Sequence, residues 1–151
     1  MSAFPTGVAV VTALGPGRQP RGMTCSSLCS VAVAPPTLLV CLRAGSPTLA
    51  AVEDGAAFAV NLLHGGARHV AELFASGAPG RFERVPWQVG PDAGGPHLAE
   101  HAHAIADCEV RRLLHAGDHA VVFGEVRRVS TTAAEPPLLY GLRRYATWPD
   151  Q

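Results

Sequence analysis

Lysine is missing from this chain: all 12 basic side chains are arginine, and they balance 12 acidic ones to a formal net charge of +0. A neutral chain carries no global field toward DNA, RNA or an anionic membrane, so nucleic acid is not an expected partner. Charged residues are only 16% of the chain, and no apolar run approaches the ~20 residues of a membrane span. No secretory signal is read at the N-terminus. Cysteines are few, and the spacing of Cys25, Cys29, Cys41 and Cys108 matches no zinc pattern; four buried thiols in a reducing cytoplasm are the expectation, with no metal. No Gly-x-Gly-x-x-Gly and no Gly-Lys-Ser or Gly-Lys-Thr element occurs, which leaves Rossmann and P-loop sites unsupported. A Ser-His-Asp triad lacks the Gly-x-Ser-x-Gly elbow of the α/β-hydrolases. There is no internal repeat and no βαβ rhythm.

What is present fits one domain over residues 1–151, long enough to bury about two-thirds of its unfolded surface. The chain is organised around Gly22 to Pro36, GMTCSSLCSVAVAPP. Small hydroxyl and thiol side chains (Thr24, Cys25, Ser26, Ser27, Cys29, Ser30) stand where a strand would normally place Val and Ile. Hydroxyls and backbone N–H groups can hold a polar ring edge or a phosphate, so the stretch is either a cofactor shelf or a Ser-rich turn between hairpin strands.

Val8 to Ala13 is a β-branched run that predicts a strand buried on both faces, returning through Gly15–Pro20 as a hairpin into the Met23 stretch, read as one strand. Thr37 to Leu42 is a third core strand. Ser46 is placed as N-cap and Pro47 as the first residue of a short helix ending near Gly55, its free N-terminus with Ser46 and Thr48 forming an anion cradle. Phe58 to Leu63 predicts a strand, and Val70, Leu73 and Phe74 a short helix over Ala67–Ser76 closed by Gly77. Ala78 to Pro96 is a Gly- and Pro-rich loop pinned by Phe82 and Trp87, a candidate lid. Ala102 to Val110 alternates and predicts a half-exposed strand, with His119 to Val129 and Pro137 to Tyr140 following. Six or seven strands with two short helices, joined mostly by hairpin turns, predict an antiparallel sheet able to close into a barrel.

Three further features carry chemistry. His101 and His103, with His97 or Glu100, are the candidate metal ligands, against the alternative of exposed polar positions. Of the arginine pairs, Arg111-Arg112 and Arg127-Arg128 read as solvated edges with one member on each face. Arg143-Arg144 beside Tyr145 combines phosphate donors with a stacking ring. His119 is either a ligand contact or a turn histidine satisfied by Asp118.

Arg21-Gly22-Met23-Thr24 with its Ser-rich continuation, Pro35 to Leu42, Val60 to Leu63, Leu73-Phe74, Asp107 to Val110, Gly117-Asp118-His119 and Gly141 to Tyr145 occur in an order that resembles the flavin reductase family. The likeness covers nearly the whole chain, and is greatest to the small reductase components of two-component flavin-dependent aromatic monooxygenases. The resemblance implies a mainly β, antiparallel split barrel (the FMN-binding split barrel) with two or so short helices, forming a homodimer. It implies that NADH or NADPH reduces FMN or FAD, the reduced flavin leaving for a separate oxygenase. By position, Met23, Thr24, Cys25, Ser26, Ser27 and Ser30 would line the flavin ring and ribityl chain, Ser46, Pro47 and Thr48 would hold the phosphate, and Phe74 would border the ring. His119, Arg143, Arg144 and Tyr145 would contact the nicotinamide nucleotide, with His119 the one candidate catalytic side chain; direct hydride transfer needs none. A flavin carrier or sensor on the same barrel is the alternative, and an oxidase acting on an organic substrate a third. Family members usually carry a helix before the first strand, where this chain starts almost at the strand itself.

Overall fold

Where β-branched and small apolar residues cluster, the backbone extends. The computed structural model describes residues 2–132 and 135–148. Its strands are β1 (Thr6–Gly7), β2 (Ala9–Leu14), β3 (Pro20–Cys25), β4 (Leu28–Val33), β5 (Pro36–Arg43), β6 (Ala57–Leu63), β7 (Ala102–Ala116), β8 (His119–Thr131), β9 (Leu138–Gly141) and β10 (Arg144–Thr147). Two α-helices, α1 (Pro47–Gly55) and α2 (Arg68–Ala75), join them. Every strand pairing is antiparallel, in a seven-stranded sheet of order β3-β2-β6-β7-β8-β5-β4 and a small sheet β1-β9-β10.

The two edge strands of the large sheet, β3 and β4, are consecutive in the chain with only Ser26 and Ser27 between them. That short link forces the edges together at one point, so the sheet rolls into a barrel that stays split elsewhere. The expectation of one strand in the Gly22 to Pro36 stretch, ending before Ala34-Pro35-Pro36, is corrected here: the stretch breaks at Ser26–Ser27 and serves both edges. With that break, the strand count rises to ten among the described residues, because Thr6–Gly7 pairs with β9 as a further strand and Arg144 to Thr147 adds another where only a turn was expected.

Inside the barrel lie Val11, Val40, Leu42, Leu49, Val52, Phe58, Val60 and Val122; a second cluster of Val8, Val10, Leu63, Val70, Phe74, Leu98 and Leu138 fills the outside of β2 and β6 under α2 and the small sheet. β2 is therefore buried on both faces, as its sequence predicts, and each such aliphatic side chain contributes about 1.5–3 kcal/mol of burial. Ser46 caps α1 by accepting the Leu49 N–H at 3.1 Å, with Pro47 at the first helical position.

The Ala78–Pro96 loop is anchored at its far end. Gly94 and Gly95 lie so close to the sheet that a Cβ on either would collide with the backbone of Phe58 or Thr12. The Thr12 hydroxyl donates to the Pro96 carbonyl at 2.6 Å, and the buried Asn61 amide donates to Thr12 and Pro96 and accepts from the Leu98 N–H.

That cover overturns the half-exposed reading of β7. Asp107 is 2% exposed; it accepts from His97 Nε2 at 2.8 Å, from the Gly94 N–H at 2.9 Å and from both Nε and Nη2 of Arg128. Burial pushes the carboxyl up, but the His97, Gly94 and Arg128 donors outweigh it and hold it below the ordinary aspartate range. The reading of Arg127-Arg128 as one residue per face is corrected too. A bulge, seen as the register shift between Asp107/Arg128 and Cys108/Val126, lets both guanidiniums reach acids two residues apart on β7: Arg127 bonds Glu109 and Arg128 bonds Asp107.

Asp107→Asn leaves these donors facing a neutral amide and is expected to lower unfolding stability by ~3 kcal/mol, measured by urea denaturation. Because the folded carboxyl titrates below the unfolded one, its contribution is complete above about pH 4 and is lost as pH falls through the folded value. The acid-side decline of the urea midpoint should accordingly be shallower in Asp107→Asn than in the unaltered chain.

Candidate functional site

β3 carries its side chains alternately inward and outward, and this settles the faces of the Ser-rich stretch. Met23 and Cys25 point into the barrel core; Cys25 is buried, and burial pushes its thiol up. Thr24 points the other way and donates to the Ala71 carbonyl at 2.7 Å, fastening α2 to the strand. At the crossing, Ser26 and Ser27 are exposed. The Ser27 hydroxyl donates to the Cys41 carbonyl at 3.1 Å and accepts the Cys41 N–H at 3.3 Å, which pins the crossing to β5. Ser30 lies exposed on β4.

Ser26 and Ser27 open onto a groove of ≈ 490 Å³, lined also by Cys29, Leu39 and Cys41, which share one face of the β4–β5 pair, and by Tyr140 of β9. Leu28, Thr6 and Phe4 complete it, and no carboxylate lines it among the described residues. Tyr140 and Cys41 were not singled out as site residues from the sequence; an aromatic ending a short strand before Gly141 is the one local sign of Tyr140.

From Cys41 the strand runs on to Arg43 and the start of α1. The Ala44 N–H donates to the Asp118 carbonyl at 2.8 Å, and Arg43 stands opposite His119. Ser46, Pro47, Thr48 and His119 are thus one neighbourhood, with Ser46 and Thr48 largely buried. His119 Nδ1 lies 2.8 Å from Asp118 Oδ1, the bond of the turn-histidine alternative, and this bond holds the exposed Asp118 carboxyl low.

Arg143, Arg144 and Tyr145 stand apart from His119, in the β9–β10 hairpin. Arg143 and Arg144 are exposed. The Tyr145 ring is 5.0 Å from that of Tyr140, and the Arg68 guanidinium lies 5.6 Å over it. Among the described residues no hydrogen bond or ring contact joins this hairpin to His119, so one chain does not unite the four as a single contact set. Phe74 is 1% exposed and stacks edge-to-face on Phe82 at 5.0 Å; it supports the outer core and borders no open groove.

The candidate metal ligands are dispersed. His97 is engaged by Asp107, and the His101 ring packs edge-on against His69 at 5.2 Å. Burial and the neighbouring His69 push the His101 imidazole down. No group of three His, Cys, Asp or Glu is arranged to hold a metal among the described residues.

Ser27→Ala removes the hydroxyl that bridges the crossing to β5 and is expected to lower stability by ~1 kcal/mol, read from the denaturant midpoint at unchanged slope.

Residues 1–149 match the flavin reductase like domain. The flavin reductase (NADPH) of Lentzea aerocolonigenes is 51% identical over 148 residues, covering 98% of this chain and 86% of that protein. The solved Streptomyces globisporus C-1027 NADH:FAD oxidoreductase, in complex with NAD and FAD fragments, superposes with a TM-score of 0.90 at 34% identity, over 98% of this chain and 88% of its own. The styrene monooxygenase flavin reductase of Pseudomonas putida S12 gives a TM-score of 0.89 at 29% identity, over 99% and 95% of the two chains. The order of strands, the split at Ser26–Ser27 and these matches agree, and the chain belongs to the flavin reductase family.

Proposed function

We propose that this chain is an NAD(P)H-dependent reductase of FMN or FAD that passes its reduced flavin to a separate oxygenase. In a member of this family, the observation that carries the reading is the groove at the Ser26–Ser27 crossing. Its lining combines the apolar Leu39 and Tyr140 with the hydroxyls of Ser26 and Ser27, which suits a planar ring with one polar edge. When bound, the flavin supplies the acceptor for a hydride from the nicotinamide, and the protein's task is orientation.

In this reading, Ser26 and Ser27 with nearby backbone N–H groups hold the polar edge of the ring, where donors favour developing negative charge, while Ser30, the next residue after Cys29 on β4, lies off the groove lining. Met23 and Cys25 brace the strand from inside, and Thr24 holds it to α2. Cys25 and Thr24 therefore act through backbone and packing rather than by side-chain contact. The Ser46 hydroxyl, whose oxygen already accepts the Leu49 N–H, keeps its hydrogen for a phosphate oxygen, and the start of α1 at Pro47 and Thr48 adds a favourable dipole. His119 meets the nicotinamide nucleotide from the Ser46 side, while Arg143, Arg144 and Tyr145 approach it from the hairpin.

A homodimer is part of the proposal. β4 is exposed along most of its length, with Val33 91% exposed and Val31 46% exposed, and a second copy covering it would bring its own hairpin toward this groove. The full 1–151 chain acts as one domain, and its four free thiols suit a reducing cytoplasm; no described helix is long and apolar enough to cross a membrane. The relation to a styrene monooxygenase reductase supports an oxygenase partner.

Purified protein should oxidise NADH or NADPH rapidly and only when FMN, FAD or riboflavin is added, followed by loss of reduced-nicotinamide absorbance; no oxidation with any of the three would sink the proposal. His119→Ala and Tyr145→Ala should each raise the KM for the nicotinamide nucleotide about tenfold with little change in the flavin Kd. Unchanged kinetics in both would argue against this nicotinamide site.

A further inference from the structure

His64 follows β6, and one nitrogen of its ring faces two groups that make opposite demands on it. The Gly66 N–H donates to His64 Nδ1 at 3.1 Å, a bond that requires a lone pair on that nitrogen. The Glu135 carboxylate stands 2.9 Å from the same atom, a contact that is favourable only when the nitrogen carries a proton. The other nitrogen, Nε2, lies 3.0 Å from the Glu100 carbonyl and donates to it in either form, which keeps the ring in place. A neutral ring therefore caps the turn that leads into α2; a charged one releases Gly66 and holds Glu135.

Three further imidazoles stand nearby. The His101 ring lies 6.5 Å from that of His64 and 5.2 Å from that of His69 on α2, and its Nε2 is buried without a hydrogen-bond partner among the described residues. Burial and then His69 push the His101 imidazole down, against the pull of Glu100. Burial and then His64 do the same to His103 on β7. Among the described residues no three of these groups are arranged around a metal. There, too, Glu135 is the one carboxylate within ion-pair reach of any of the four rings, and it reaches only His64. A proton entering the cluster finds its counter-charge at a single atom.

That atom sits on a joint of the fold. His64 pairs with Pro137 in an isolated bridge, the Gly65 N–H donates to the Pro136 carbonyl at 2.8 Å, and a Cβ on Gly65 would collide with Thr147 of β10. His64 and Gly65 thus form the seam along which the small sheet joins the barrel. Glu135 stands in the segment entering β9, the strand whose Tyr140 lines the groove.

We propose that His64 is a proton-operated latch on this seam. While neutral it binds Gly66 and leaves Glu135 loose; in mild acid it gives up Gly66 and clasps Glu135, tightening the small sheet and with it the Tyr140 side of the groove. The two bonds have opposite signs. The Glu135 contact contributes while the ring is charged and is lost as pH rises through the imidazole range, whereas the Gly66 cap is complete above that range and lost below it. The latch acts on the wall of the groove, whichever ligand the groove takes.

Heteronuclear NMR of the isotope-labelled protein between about pH 8 and about pH 5 tests it without a ligand. The coupling carried across the Gly66 N–H···Nδ1 hydrogen bond should be present at the upper end and vanish as the His64 ring takes its proton. Over the same range the protection factor of the Gly65 amide should rise about threefold. His64→Asn, whose side-chain oxygen can still accept from Gly66 but takes no proton, should hold that protection constant. Glu135→Gln should hold it constant while the ring still titrates. A coupling that persists at the acid end, a Gly65 protection that does not rise, or an equal rise in Glu135→Gln overturns the proposal.

Discussion

A sheet whose two edge strands follow one another in the chain must bring its edges together, and here only Ser26 and Ser27 span the gap. Everything that could hold a ligand descends from that closure. Bulky residues at the crossing would push β3 and β4 apart, whereas two serines let the backbone turn, with the Ser27 hydroxyl replacing the ladder hydrogen bonds that the break removes. The gap left beside it becomes the groove. The barrel core behind it, filled by Val11, Val40, Leu42 and Phe58, gives the groove a rigid floor.

The opposite wall of the large sheet is arranged by charge. Glu109 and Glu125 stand directly opposite each other on β7 and β8, an arrangement that repels. Arg111 and Arg127 each bond both carboxylates, and both arginines occupy positions skipped by the ladder register. The bulges thus convert a like-charge pair into a closed ring of alternating charge. One bulge also sends Arg128 to Asp107, so the exposed ring and the buried Asp107–His97 pair share an origin in one extra residue on β8.

Much of this was legible in the sequence because it depends on neighbours along the chain. The Ser46–Pro47 cap, the β-branched β2, the two short helices and the order of family motifs are local patterns. The burial of Asp107 was not, because alternation in Ala102–Val110 reports one strand's faces and says nothing of a loop brought over them by Gly94 and Gly95. The break at Ser26–Ser27 was hidden for a similar reason: only the partners of the two halves, β2 and β5, show that they belong to opposite edges. The separation of His119 from Tyr145 is likewise a matter of topology, since strands at one end of the chain pair with β1 and never with β8.

The β9–β10 hairpin turns through Leu142 and Arg143 at φ 51° and 59°, a left-handed conformation in which glycine would be at ease and these residues are not. Each costs about 1 kcal/mol relative to a relaxed backbone, and the two-residue β1 adds little pairing to offset it. The small sheet therefore has a lower free energy of local opening than the barrel it leans on. Tyr140 rides on that sheet, so the part of the groove it lines is more easily opened than the barrel floor.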